Sequence, residues 1–154
     1  MDKKARHKLY KASVYPGWWP ILDEYVPKIL EADPEAEVYI KEKYGYLRIA
    51  ISSKKIPLQQ QIEWETAAEQ ASSAVCEFCG APGKHRPNRA WMQTLCDRCH
   101  RGNTATKQKA TREAEQRWLE TKDDEEINLI GQKLVNKHIA ALRALAEGEK
   151  PKEG

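Results

Sequence analysis

All four cysteines of the chain fall in two Cys-x-x-Cys pairs, Cys76/Cys79 and Cys96/Cys99, with sixteen residues between them. At this spacing two knuckles can fold back on each other and present four thiolates to one tetrahedral ion, so the pattern predicts a single structural Zn²⁺ held by Cys76, Cys79, Cys96 and Cys99. Gly80 follows the first pair, where a knuckle turn calls for a positive φ. Between the knuckles, Lys84 to Arg86, a Pro87-Asn88-Arg89 turn and Ala90 to Leu95 read as a short β-hairpin, and the whole of 76–101 reads as a small zinc ribbon. Four thiolates complete a tetrahedral shell and leave no position for water or substrate, which makes the metal structural and predicts no catalytic residue. Two disulfides or reduced free thiols are the other uses of four cysteines, but nothing else in the chain asks for an oxidising compartment. His85 and His100 lie beside the pairs as further candidate ligands, with Cys99-His100 offering either atom type at the last position.

Net charge is only +3, yet the charges are segregated. From Lys84 to Arg112 there are eight basic residues (Lys84, Arg86, Arg89, Arg98, Arg101, Lys107, Lys109, Arg112) against the single Asp97, and from Glu113 to Glu126 seven acidic residues against Arg117 and Lys122. With 32% charged residues and a mean hydropathy of −0.79, the composition is that of a surface-rich soluble chain. No stretch approaches the ~18 apolar residues of a membrane span, and the basic N-terminus MDKKARHKLYK is not followed by the apolar run of a signal peptide. A cytoplasmic protein without membrane partners is the expectation.

Five Lys or Arg and little apolar periodicity mark residues 1–15 as a frayed basic arm. Residues 16–75 read as an αββα unit. Pro16-Gly17-Trp18-Trp19-Pro20 hands over to a helix with Pro20 at its first position, and Ile21, Leu22, Tyr25, Val26, Ile29 and Leu30 recur on one face. Pro27 should kink or split this helix, and Trp18 and Trp19 read as core. Val38-Tyr39-Ile40 and Leu47 to Ile51 alternate around Tyr44-Gly45, a β-hairpin with Leu47, Ile49 and Ile51 inward. A helix after Pro57 carries Leu58, Ile62, Ala67, Ala68, Ala71 and Val75 as its apolar stripe. Residues 102–148 read as C-terminal helices, one long or two packed. The first has Asn103 or Thr104 as N-cap and Ala110, Ala114 and Trp118 on one face; the second, starting near Asp123, has a wide stripe through Ile127, Ile130, Leu134, Val135, Ile139, Leu142 and Leu145, with Gly131 as a weak point. Residues 149–154 read as a disordered tail. The expected fold class is α+β: a helix–hairpin–helix unit, a four-cysteine zinc ribbon and a helical C-terminal segment.

Several pieces taken together resemble a family: Pro16-Gly17-Trp18, Asp33-Pro34, Ile40-Lys41-Glu42-Lys43-Tyr44-Gly45, Leu47-Arg48, Cys76-Glu77-Phe78-Cys79-Gly80-Ala81-Pro82-Gly83, and Trp91 with Thr94-Leu95-Cys96-Asp97. In this order they are similar to small zinc-ribbon proteins of phage and prophage genomes. The resemblance covers residues 16–100 and implies an αββα unit joined to a ribbon and a phage or mobile-element origin, without an activity; its last ligand is often a histidine. Cys96-Asp97-Arg98-Cys99-His100 with Asn103 is also similar to the end of an HNH endonuclease. Sixteen residues are too few for that catalytic insertion, and no His-His or Asp-His dyad lies between the pairs.

Two functions compete. Arg86, Arg89, Arg98, Arg101, Lys107, Lys109 and Arg112 could form one positive face for the phosphates of a nucleic acid, with Trp91 as a stacking residue. Against this, a zinc bound by four thiolates carries a net charge of about −2, which neighbouring cations could merely offset, and Trp91 reads as ribbon core. The alternative is an interaction factor that binds or inhibits a host enzyme of nucleic-acid metabolism or defence, with the wide C-terminal stripe as a partner or homodimer surface. A degenerate nuclease ranks last.

Overall fold

The computed structural model describes residues 1–121 and 136–148 and divides the chain into two units, 1–121 and 122–154. The first contains α1 (Lys3–Ser13), a 3₁₀ turn (Pro16–Trp18), α2 (Trp19–Ala32), β1 (Glu37–Lys43), β2 (Tyr46–Ser52), α3 (Leu58–Ser72), β3 (Lys84–Arg86), β4 (Gln93–Leu95), α4 (Asp97–Arg101) and α5 (Thr104–Leu119). It is a mixed α+β arrangement of helices around two antiparallel hairpins, β1–β2 and β3–β4. In the second unit, a helix α6 spans 136–146. The expected helix onset near Asp123, the stripe residues Ile127, Ile130, Leu134 and Val135, Gly131 and the 149–154 tail lie outside the described residues. Among the described residues, no helix is long and apolar enough to cross a membrane.

Residues 1–15 are not a frayed arm. Asp2 caps α1 by accepting from the Ala5 N–H at 2.7 Å, and Arg6 and Tyr10 are buried. This helix escapes sequence reading because its inward face is an arginine and a tyrosine in place of an aliphatic stripe. Arg6 pairs with the buried Asp23 of α2, whose second oxygen accepts from Trp118 Nε1 of α5 at 2.8 Å. An ion pair taken out of water is tolerated only where its remaining lone pairs are used, and Trp118 uses one. Burial, reinforced by the Asp23 carboxylate, pushes the Tyr10 phenol up, so that it stays neutral beside the pair.

Three more side chains of this basic segment reach α5, while Lys4 and Lys8 are exposed. Lys3 Nζ donates to the carbonyls of Leu119 and Thr121 at 2.7 and 2.6 Å, at the negative end of α5. His7 and Lys11 reach Glu115 at 3.0 and 2.8 Å. Part of the N-terminal positive charge and part of the acidic block after Arg112 therefore satisfy each other within the chain.

Trp18 and Trp19 are fully buried, as read from sequence. Trp19 and Trp118 meet edge to face at 5.3 Å between centroids. The core runs from there through Leu22, Val26 and Ile29 to Leu47 and Ile49 of the hairpin. Because Trp118 lies in this core, α5 belongs with residues 1–75 and not with a separate C-terminal segment. Pro27 does not split α2, which runs continuously from Trp19 to Ala32; Tyr25, Val26 and Ile29 are buried on both sides of it and hold the helix in place. Tyr44 and Gly45, both at positive φ (54° and 84°), form the two-residue turn between β1 and β2, as that turn type demands. In α3 only the first part of the expected stripe fails: Leu58 and Ile62 are 71% and 45% exposed, whereas Ala67, Ala68, Ala71 and Val75 pack on the core, joined there by the polar Gln61 and Ser72. The Gln61 amide donates to the carbonyls of Ser53 and Ile56 and so closes the loop before the helix.

Glu115 offers a pH test. Its hydrogen bond from Lys11, then that from His7, holds its carboxyl below the ordinary 4.5. A carboxyl that is more acidic folded than unfolded adds stability above the unfolded value, and this is lost as pH falls through the folded value. Glu115→Gln should cost about 0.5 kcal/mol at neutral pH, measured by urea denaturation, and the difference from the parent should vanish once the solution is acidic enough to protonate Glu115 in the folded protein.

Candidate metal centre

The two knuckles are built from the backbone outward. In the first, Cys76 N donates to Ala81 O at 2.8 Å and Gly80 N to Cys76 O at 2.9 Å, closing a turn around Gly80 at φ 77°. In the second, Cys96 caps α4, and Cys99 N donates to Cys96 Sγ at 3.4 Å. The hairpin between them is β3–β4, paired Lys84↔Leu95, His85↔Thr94 and Arg86↔Gln93.

Cys76, Cys79, Cys96 and Cys99 are free thiols, and their sulfurs all lie within 4.8 Å of one another. Cys79 Sγ and Cys96 Sγ are 3.6 Å apart. Sulfurs at about 2.3 Å from a tetrahedral ion would be separated by about 3.8 Å, so the four thiols fit one metal ion. Cys76 and Cys99 are fully buried, with Phe78, Leu95 and Ala110 around them. Burial pushes the Cys79 thiol up to about 11, and burial with the adjacent Cys76 sulfur pushes Cys99 up as well. Burial opposes ionisation of Cys96 too, but the Cys99 N–H and the surrounding sulfurs outweigh it and hold that thiol below its ordinary value. A cation is what would allow all four to ionise together.

Neither histidine joins the cluster. His85 stacks on Tyr46 with centroids 4.3 Å apart. His100 Nδ1 lies 2.9 Å from Arg89 Nη1. Burial, together with Arg86 and Arg89, holds the His100 imidazole below its usual range, which suits an acceptor for the guanidinium.

The seven candidate phosphate-binding residues separate into groups. Arg86 donates to Leu95 O and pairs with Asp97 at 2.9 Å, and Arg89 bonds the His100 ring and carbonyl; both brace the second knuckle. Arg98 and Arg101 are exposed on α4, and Lys109 and Arg112 on α5. Lys107 is half-buried and, two residues before Lys109 on the same helix, points to a different side. One continuous face of all seven is therefore not formed. Trp91, expected in the ribbon core, is 68% exposed, and Met92 beside it is 36% exposed; a three-residue β-ladder has no interior to hold an indole.

Sequence reading misses the seam that seats the cysteine hairpin on the rest of the unit. Gly17 N donates to Glu77 O at 2.9 Å, Trp18 Nε1 to Val75 O at 2.9 Å, and Thr94 Oγ1 to Gly45 O at 2.7 Å. Glu77 lies buried between the first two cysteines, its Oε1 accepting from Gln93 Nε2 at 2.7 Å; burial, aided by Glu42, pushes its carboxyl up to about 8. No local pattern marks these partners, which come from three distant segments.

Comparison of the chain with protein-family models, with curated proteins and with solved structures gives no match.

Purified protein should carry one metal ion per chain by atomic emission, and Cys96→Ala should abolish stoichiometric loading. A Cβ at position 17 would lie 2.0 Å from Cys76 O and 2.5 Å from Glu77 O, both backbone atoms that cannot step aside. Gly17→Ala should therefore destabilise by about 3 kcal/mol or more, read by thermal or urea unfolding, as expected for a steric clash in a packed interior.

Proposed function

We propose that this chain is a non-enzymatic, zinc-stabilised nucleic-acid-binding protein, an accessory or regulatory factor of the phage zinc-ribbon kind that its motifs resemble. Zinc is the ion best suited to four thiolates in tetrahedral array, and a shell completed by protein sulfur has no place for a reacting water. The β3–β4 hairpin with its two knuckles would then be the ribbon.

The observation that carries the nucleic-acid reading is the state of the cations around the knuckles. Arg86 and Arg89 are committed to the second knuckle, where they can offset thiolate charge. Arg101, Lys109 and Arg112 form no ion pair among the described residues, and Arg98 has only Glu113, at 3.5 Å between two exposed groups. That contact brings α4 against α5 at Glu113, next to Arg112, so the exposed cations of the two helices form one neighbourhood. Lys109 and Arg112, three apart, share a side of α5. Exposed cations on α4 and α5, with Trp91 and Met92 exposed on the β3–β4 hairpin, supply the group types of a phosphate-contacting surface.

Fluorescence anisotropy of the zinc-loaded protein with duplex DNA, single-stranded DNA and RNA at several salt concentrations tests this. Binding should weaken steeply with salt, and the combined Arg98→Ala, Arg101→Ala, Lys109→Ala variant, still holding zinc, should lose about 2 to 3 from the logarithmic salt slope. Absence of salt-dependent binding to all three ligands would overturn the reading.

A second reading is a protein-interaction factor acting on a host enzyme of nucleic-acid metabolism or defence, or a homodimer. It is favoured by α6, where Ile139, Leu142 and Leu145 recur three apart and are 41%, 52% and 60% exposed. A concentration-dependent oligomer, or a stable protein complex, without nucleic-acid affinity would select it.

A further inference from the structure

Away from the hairpin tip, Tyr15, Phe78 and the first turns of α5 border an open cleft of about 600 Å³, within the size range of sites for small organic groups. We infer that this cleft is a binding slot for an unstacked base of single-stranded nucleic acid, with Tyr15 as the stacking surface and Lys107 and Arg112 as the phosphate contacts. The inference rests on the nucleic-acid reading and specifies which form of ligand the protein prefers.

Tyr15 is an aromatic residue held out into solvent by buried neighbours. Val14 and Pro16 on either side are buried, and Tyr15 O accepts from Trp18 N at 3.3 Å in the 3₁₀ turn, yet its side chain is half exposed. Its inner edge leans on Phe78, with centroids 4.6 Å apart and planes at 54°. Phe78 is buried between the knuckle cysteines, so it forms a fixed floor and leaves the outer face of Tyr15 uncovered. Such a ring has lost its freedom before any ligand arrives, which lowers the entropic cost of stacking.

The opposite wall matches a nucleotide in chemistry. Lys107 and Arg112 line it, and among the described residues neither is in an ion pair and no carboxylate lines the cleft. Thr104 and Gln108 add a hydroxyl and an amide able to meet the polar edge of a base. An aromatic face between cations is how single strands are held without regard to sequence. A duplex keeps its bases stacked inside and could offer this concavity only its backbone; a single strand can turn a base into it.

The test compares fluorescein-labelled oligothymidylate with the same strand annealed to oligoadenylate, using the full zinc-loaded chain. Tyr15→Ala should weaken single-strand binding about tenfold and leave duplex binding unchanged, while Tyr15→Trp should retain the parent affinity. Gln108→Glu, which puts a carboxylate into the cleft from an exposed helix position, should weaken the single strand at least as much. Zinc content and thermal unfolding matched to the parent show that each variant is folded. If the parent binds both ligands and neither Tyr15→Ala nor Gln108→Glu discriminates between them, the slot is refuted while the basic surface stands. If the parent binds neither of these ligands, nor labelled oligouridylate in the same assay, the nucleic-acid reading fails and the slot with it.

Discussion

The backbone contact between Gly17 and the first knuckle is the constraint on which the rest of the unit depends. With no side chain at position 17, the carbonyls of Cys76 and Glu77 approach the 3₁₀ turn closely enough for Gly17 N to donate to Glu77 O. That contact leaves Trp18 beneath the end of the α3 segment, bonded to Val75 O, and Trp19 in the core, bonded to Val14 O. The cysteine hairpin is thus a wall of the same body as the helices. Its second point of attachment, Thr94 to the carbonyl of Gly45 with Tyr46 stacked on His85, sets the tip of the β1–β2 hairpin against the middle of the β3–β4 ladder.

The interplay of charge follows from this packing. Because α5 returns across the turn to put Trp118 beside Trp19, its acidic residue Glu115 meets the cations of α1, and Asp23 meets both Arg6 and Trp118. Charges that look like separate basic and acidic blocks along the chain are in part neutralised across one helix–helix contact. Among the described residues, the cations of α4 and of α5 up to Arg112 that form no ion pair are Arg101, Lys107, Lys109 and Arg112, and it is this remainder that carries the functional reading.

Local patterns are the most legible. Two residues between cysteines set the knuckle, and no distant contact is needed to see it; the alternation around Tyr44-Gly45 and the four-residue spacing of Ala110, Ala114 and Trp118 are likewise short-range signals. Misreadings arise where burial depends on partners from afar. Leu58 and Ile62 have the character of a core face, but the hairpin lies against the Ala68 and Ser72 side of α3, where Ser72 Oγ accepts from Leu47 N. The amphipathic signal of α1 is carried by Arg6, a residue whose burial makes sense only with Asp23 in view. Trp91 has a core-forming side chain in a hairpin too short to cover it.

By itself the sequence determined that four thiols would converge, that the chain would mix helices with short antiparallel hairpins, and that basic residues would concentrate around the second knuckle. Each is a matter of spacing or composition over a few tens of residues. Tertiary structure alone decided which of those bases are spent: Arg86 and Arg89 on the knuckle, Arg98 on Glu113, and Arg101, Lys109 and Arg112 in no ion pair within the described residues. It also decided that Tyr15 would face Lys107 and Arg112 across a cleft. The reason is physical: pairing and exposure depend on distances between segments far apart in sequence, and those distances exist only once Gly17, Trp18 and Trp118 have brought the segments together.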